Sequence, residues 1–477
     1  MHDSKGTWLS LIITAMANFS TQYNFQCISV ALLVMSASQC TSDDANCEDG
    51  KQAEWVQSTA TAAVFLGAMC GQLTMGYLGD YFSRNFALCW TLILAGFSSI
   101  MCAVATDGSP ESVYSVIVAF RFLLGVGLGG VFPLAATKAS EDYSNEDSEH
   151  HNKTNSLASS WSFFWQIPGL FVPWFFAYCF ASSDHLTTVS RWKLILGLGS
   201  VPSFIAAFLL IFEAYLANTS LFQLQKSSTS DQIPLSHVIE LVTQPDNLRK
   251  LSVTGGGWFL FDIVVYGIGL LAGDIIEQIS SDDDNVSSES SIRNVSSKQM
   301  IASSTSIVVT MLSIFLIPHL GLRNLQTIAF LVVMFFCVLL SSLFDYLHHY
   351  APNGLFGVYC LTYASLNFAL GATTYSIPAA VYPKEIRSTF NGISAACGKC
   401  GAFIGAFTFI FIAESSAGYS GLLGICSFIA LSAACLTYFR IHPNDFHDIE
   451  SSKLEQNQNQ NLLKSSEMTR PSNDPKA

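Results

Sequence analysis

An all-α membrane protein of twelve transmembrane helices is the fold class this sequence predicts, and three observations predict it. Half of the 477 residues are hydrophobic, only 12% are charged and phenylalanine alone numbers 36; the surface of a water-soluble domain of this size does not tolerate that composition. Apolar stretches long enough to cross a hydrocarbon core recur at about 7–36, 55–79, 86–106, 112–137, 157–180, 192–216, 251–273, 299–319, 325–345, 353–380, 390–414 and 418–440. An even count puts both termini on one side, where the loops hold about fifteen Lys and Arg against about five opposite, so the positive-inside rule makes that side cytoplasmic. The first apolar run begins almost at Met1 without a small-residue cleavage site and reads as a retained helix. The expected domains are a six-helix bundle over 1–216, a polar cytoplasmic linker over 217–250, a second bundle over 251–440 and a disordered tail over 441–477.

The formal charge of -13 comes largely from loops such as 43–49, 140–149 and 281–285. That balance argues against nucleic-acid binding and says little about a solute, since loop charges do not face a pore. Most of the 13 cysteines fall in helices, where a thiol behaves as a small apolar group. Cys40 and Cys47 share the first outer loop and are placed to pair there. Cys397 and Cys400 form a CxxC inside a span, where redox chemistry is not expected. Asn285 and Asn294 each begin an Asn-Val-Ser acceptor for glycosylation. No metal, nucleotide or nucleophile constellation stands out, so neither a cofactor nor an enzymatic reaction is expected.

Taken in order, span 1 carries Asn18, Thr21, Gln22, Tyr23, Asn24 and Gln26 within an apolar run. Polar uncharged groups in a membrane either tie helices together or line water, and this density favours a cavity wall. Span 2 ends in GYLGDYFSRN at 76–85, a short turn in which Asp80 can accept from helix-end amides or a base. Span 4 carries Gly125, Gly127, Gly129 and Gly130, a smooth face for close packing, followed by Pro133. Span 5 holds Gln166 in SFFWQIPGLFVP. Span 7, TGGGWFLFDIVVYGIGL at 254–270, sets Trp258, Asp262 and Tyr266 at i, i+4 and i+8, one face of a helix. A carboxylate at that depth costs several kcal/mol unless it meets a cavity or a partner. Span 11 supplies a cation at comparable depth, Lys399, which must face an acid, an anion or water.

These motifs resemble the major facilitator superfamily. Gly76, Leu78, Asp80 and Arg84 are similar to its G-x-L-x-D-x-x-G-R-[RK] loop, with Ser83 and Asn85 departing, and a second copy at 316–326 keeps Gly321 and Arg323 but has Pro318 at the acid's place. Within that superfamily, G-G-x-x-P-L-x-A-x-x-x-S-E in span 4, GGGWFLFDIVVYGIG in span 7 and Pro383, Arg387, Ser388, Thr389, Gly392, Ser394, Gly398, Lys399 and Gly401 around span 11 resemble the phosphate:proton symporters. The resemblance implies two six-helix bundles that rock about a midplane site. It implies solute contacts from Gln166, Trp258, Asp262, Tyr266 and Lys399, proton coupling through Asp262, and a conformational latch among Asp80, Arg84, Arg121, Glu141, Arg323 and Arg387. The expected partners are phosphate or a related anion, protons and the lipid bilayer, with the plasma membrane favoured over the vacuolar or another internal membrane. The chain departs from the family's acids in span 1, where it has Thr21 and Asn24, and in span 4, where Val131 and Phe132 stand in place of an Asp and a Tyr, and it has Gly371 in place of an Asn. Those departures leave open an organic phosphate, another anion or a sugar-like solute, and a non-transporting sensor that binds a solute and signals through its linker or tail.

Overall fold

The computed structural model describes residues 4–39, 54–104, 110–142, 151–183, 185–216, 235–270, 272–273, 275–276, 288–383 and 386–446. Among them every regular element is helical. Among the described residues ten segments are long and apolar enough to span a membrane, and one of these, 289–350, runs through two spans. Its helix, Ser288–Tyr350, is interrupted at Gly321, where φ is 73° and ψ 158°. That backbone suits a residue without Cβ. Span 1, Ser4–Gln39, completes the twelve; its polar cluster keeps it less hydropathic than the rest. The protein is a multi-pass membrane protein.

Spans 2, 3 and 4 are single helices, Glu54–Tyr81, Arg84–Val104 and Pro110–Asp142. Span 5 divides into His151–Phe164 and Gln166–Ala181, and span 6 into Thr188–Gly197 and Ser200–Leu216. Pro168 and Pro202 explain both breaks, because each removes the amide that would bond one turn back. Span 10 divides into Pro352–Asn367 and Leu370–Val381 around Ala369, whose φ of 63° is uncommon for a residue with a Cβ. Spans 7, 11 and 12 are Pro245–Leu270, Arg387–Glu414 and Gly418–Arg440.

Three features differ from expectation. Span 7 starts at Pro245, not near 251, because proline suits a first helical turn and the polar residues 246–250 extend the helix past the hydrocarbon. Residues 235–243, expected as linker, form a short helix, Leu235–Thr243. The tail begins with an ordered 3-10 turn, Pro443–Phe446, held to span 7: Arg249 donates to Asp445 at 2.5 and 2.9 Å and to the Arg440 carbonyl at 2.6 Å. Cys40, Cys47 and Asn285 lie outside the described residues, and Asn294 lies exposed on the helix that opens span 8.

The glycines of span 4 close against span 2. A Cβ at Gly125 or Gly129 would strike the Val64 or Ala68 carbonyl oxygen, and one at Gly67 or Gly71 the Phe122 or Val126 oxygen. Span 11 meets span 7 in the same way, through Gly401 on Phe259 and Gly405 on Ile263. Between the halves, Gly76 of span 2 lies on the Ser388 carbonyl and Gly392 of span 11 on that of Gln72. Backbone contact of this kind substitutes for the hydrophobic drive that helices lack inside lipid.

Candidate functional site

The helical register of span 7 does bring Trp258, Asp262 and Tyr266 to one wall, and span 11 places Lys399 against them. The Lys399 ammonium donates to Asp262 Oδ2 at 2.8 Å and to the Tyr266 hydroxyl at 3.0 Å. Both charged side chains are essentially inaccessible, at 1% and 2%. Burying them separately would be prohibitive; paired, each supplies what the other lost from water. Four rings surround the same ammonium: Phe25, Phe65 and Phe132 from the first half have centroids at 5.1, 5.9 and 4.8 Å, and Tyr266 at 4.2 Å. An aromatic face attracts a cation most strongly where water is excluded.

This pair forms one wall of a cavity of about 50 Å³ between the halves. Gln166, Trp258, Asp262, Tyr266 and Lys399 all line it, so the structure gathers the five predicted solute residues in one place. Gln22 and Gln26 of span 1 line it too. The rest of the span 1 cluster is divided. Asn18 accepts from Gln166 Nε2 at 2.7 Å and reaches the Tyr375 hydroxyl at 3.3 Å, whereas Tyr23 and Asn24 bond the backbone of span 6 at Ile195 and Gly199, both at 2.9 Å. Interhelical bonding and cavity lining thus share one helix.

Further liners that sequence reading does not assign to the cavity include Tyr363, Asn367 and Thr374 from the broken span 10, and Phe132. Asn367 donates to Ser306 at 3.2 Å just before the break at Ala369. A half-buried amide beside a non-glycine residue of positive φ is a signal only the backbone reveals. Where related sequences carry acids, this chain is dry or occupied. Val131 sits in an apolar cluster with Ile13, Leu88 and Leu92, and the Thr21 hydroxyl is spent on the Ala17 carbonyl at 2.9 Å.

Below the cavity, on the face where span 1 starts and span 12 ends, a polar network joins the halves. Asp80 accepts from the Thr389 amide and hydroxyl, each at 2.7 Å, at the start of span 11. Arg84 approaches Asp80 at 3.5 Å and pairs with Glu141, which Arg387 approaches at 3.6 Å. Ser388 donates to Thr137 at 3.2 Å, and Ser159 and Ser160 each bond Ser376 at 2.8 Å. Four of the six predicted latch residues therefore meet. The other two stand apart. Arg121 lies twenty residues before Glu141 on span 4, roughly 30 Å along the helix, and donates to the Asn24 carbonyl at 3.0 Å inside the first half. Arg323 stays inside the second half, donating to the Tyr438 carbonyl at 2.8 Å and lying over the Tyr438 ring.

A family model described as "Sugar (and other) transporter" matches residues 10–231 and 285–448. The chain is 29% identical over 440 residues to an inorganic phosphate transporter, PT2, of Toxoplasma gondii, covering 92% of this chain and 73% of that one. It is 26% identical over 470 residues to inorganic phosphate transporter 1-2 of rice, covering 89% of each. Among solved structures, the proton:xylose symporter XylE bound to 6-bromo-6-deoxy-D-glucose superposes with a TM-score of 0.68 at 16% identity, over 94% of this chain and 99% of that one.

Proposed function

The chain belongs to the sugar (and other) transporter family of the major facilitator superfamily, and from that premise we propose that it moves inorganic phosphate with protons by alternating access. The observation that carries the reading is the buried Lys399–Asp262 pair on the wall of a small cavity. A water needs roughly 10–15 Å³ of such space, so about 50 Å³ admits a few waters or one tetrahedral oxyanion. A hexose has more than twice the heavy atoms of phosphate and calls for a correspondingly larger cavity. The names of the relatives from Toxoplasma gondii and rice agree with the smaller solute.

In the resting pair, Asp262 holds the ammonium. An arriving oxyanion accepts from Lys399, Tyr266, Trp258 and Gln166, and it displaces Asp262 from the cation once a proton neutralises the carboxylate. The aromatic box keeps the ammonium in place during the exchange. With Asp262 protonated and Lys399 engaged by the anion, the site carries no unpaired buried charge, and the halves rock about it. Asp80, Arg84, Glu141 and Arg387 hold the inner side closed between cycles. We orient the termini toward the cytoplasm on the loop charges, place the protein in the plasma membrane, and read 1–216 and 251–440 as the two rocking bundles.

Purified protein in liposomes tests the reading. Phosphate uptake driven by an inward proton gradient is expected in the wild type, and Asp262→Asn should abolish accumulation while leaving exchange. Unchanged accumulation in that variant removes Asp262 from the mechanism. The absence of an acid among the first-half residues that line the cavity favours a second reading, a solute sensor that binds without flux; saturable phosphate binding with no uptake establishes it. A competition panel of phosphate, sulfate, glycerophosphate and hexose fixes the solute.

A further inference from the structure

Between the cavity and the inner network lies a layer that neither of them uses. Gln72 of span 2 and Asn391 of span 11 are fully buried, at 0% exposure, and none of their four side-chain amide atoms has a hydrogen-bond partner among the described residues. The two positions belong to the facing surfaces of the halves. The missing Cβ of Gly392 lies on the Gln72 carbonyl and that of Gly76 on the Ser388 carbonyl, and Asn391 follows Ser388 by three residues on the same helical face. Their depth is fixed as well. Phe65 precedes Gln72 by seven residues and Lys399 follows Asn391 by eight, so both amides sit two turns, roughly 10 Å, below the Phe65–Lys399 contact. One turn farther on, Ser388 meets Thr137 and Thr389 meets Asp80.

A buried amide that bonds nothing is destabilising, and an apolar side chain of the same shape would be the more stable choice. Two at one level of one path call for a partner in another state. Resting on the phosphate reading above, we propose that Gln72 and Asn391 form a second, transient oxyanion site, engaged when the inner network opens and the solute leaves Lys399. The chemistry suits dihydrogen phosphate: each amide N–H donates to an oxygen that shares the charge, and each amide carbonyl accepts from one of the two P–OH groups. Being neutral, the site holds the anion less firmly than Lys399 does. A step on a transport path must let its solute go.

Gln72→Leu and Asn391→Leu provide the test. Thermal unfolding midpoints should rise in both variants, equilibrium phosphate binding to the detergent-solubilised protein should match the wild type, and net phosphate uptake into liposomes should fall by roughly three- to tenfold per residue. Lower midpoints would show that the amides are structural partners in the resting state, and undiminished uptake would show that the solute passes without them; either result overturns the proposal. A second arm does not require phosphate to be the solute. The thiol introduced by Gln72→Cys, followed by peptide mapping, should react with a membrane-impermeant maleimide from the termini face, faster when Asp80→Ala weakens the inner network. Failure to react in either background overturns the proposal, whereas reaction in a protein that moves no phosphate leaves the inner path standing and removes the phosphate reading alone.

Discussion

In the first half Gly125 and Gly129 of span 4 lie on the carbonyls of span 2; in the second, Gly401 and Gly405 of span 11 lie on the carbonyls of span 7. The packing repeats, but the chemistry facing the cavity does not. The second half brings Asp262, Lys399 and Tyr266, whereas the first brings amides and the rings of Phe25, Phe65 and Phe132. A repeated fold thus supports one half that carries charge and one that shapes its surroundings. Asp262 is the one carboxylate among the residues that line the cavity, and the opposing half supplies three of the rings around its cation.

The sharpest way to break this division is to remove the cation. Lys399→Gln leaves Asp262 buried without its partner and should cost about 3–5 kcal/mol of stability, together with most phosphate affinity. The double variant Asp262→Asn/Lys399→Gln should recover most of that stability and none of the transport, as thermal unfolding beside liposome uptake would read. Next comes an attempt to make the halves alike. Val131→Asp places a carboxylate in the dry cluster with Ile13 and Leu88, which should cost about 2–4 kcal/mol without adding a coupled proton. If the proton-to-phosphate ratio rose instead, the division of labour would be wrong. A smaller effect is expected at the seam: Asp80→Ala removes the acceptor of two 2.7 Å bonds and should shift the equilibrium toward the inner-open state by about 1.5–3 kcal/mol, measured as thiol accessibility from the termini face.

The smallest effect concerns the tail clamp of the second half. Burial raises the Asp445 carboxyl, but the Arg249 guanidinium and the His442 amide outweigh it and hold the group below the ordinary carboxylate value. A lowered folded value means that the clamp contributes fully above the unfolded carboxylate range, near pH 4, and is lost as pH falls through the lowered value. The unfolding midpoints of the wild type and Arg249→Gln should therefore differ at neutral pH and converge in acid. A constant difference would assign the clamp to packing.

Much of this was legible in the residue order. Hydropathy located the spans, and a lone acid and a lone base in apolar runs identified each other because neither is stable there alone. Gln166 and the acids Asp80 and Glu141 of the inner network followed from motif positions. The aromatic box was not legible, since a phenylalanine in a membrane span is the default residue and nothing in the sequence distinguishes Phe65, which contacts a cation, from Phe97, which is exposed at the surface of the helix bundle. Arg121 was misplaced because motif membership says nothing of depth: span 4 is long enough to hold one of its charges near each face. The break at Ala369 carries neither glycine nor proline at its centre, so local propensity gave no warning of the half-helix that brings Asn367 and Thr374 to the cavity.

The contact of Gly76 with Ser388 and of Gly392 with Gln72 has a kinetic meaning. Where two helices interlock through large side chains, moving one past the other requires rotamers to change and cavities to open, and the barrier grows with the bulk of the teeth. Here the two halves meet as smooth backbones, so sliding at this point disengages no knobs. The speed of the conformational step is then governed by the handful of charge-assisted bonds at the inner edge. Ionic strength and charge substitutions on that face should alter turnover more than conservative changes in the bundle cores, and any side chain added at Gly392 would act as a brake.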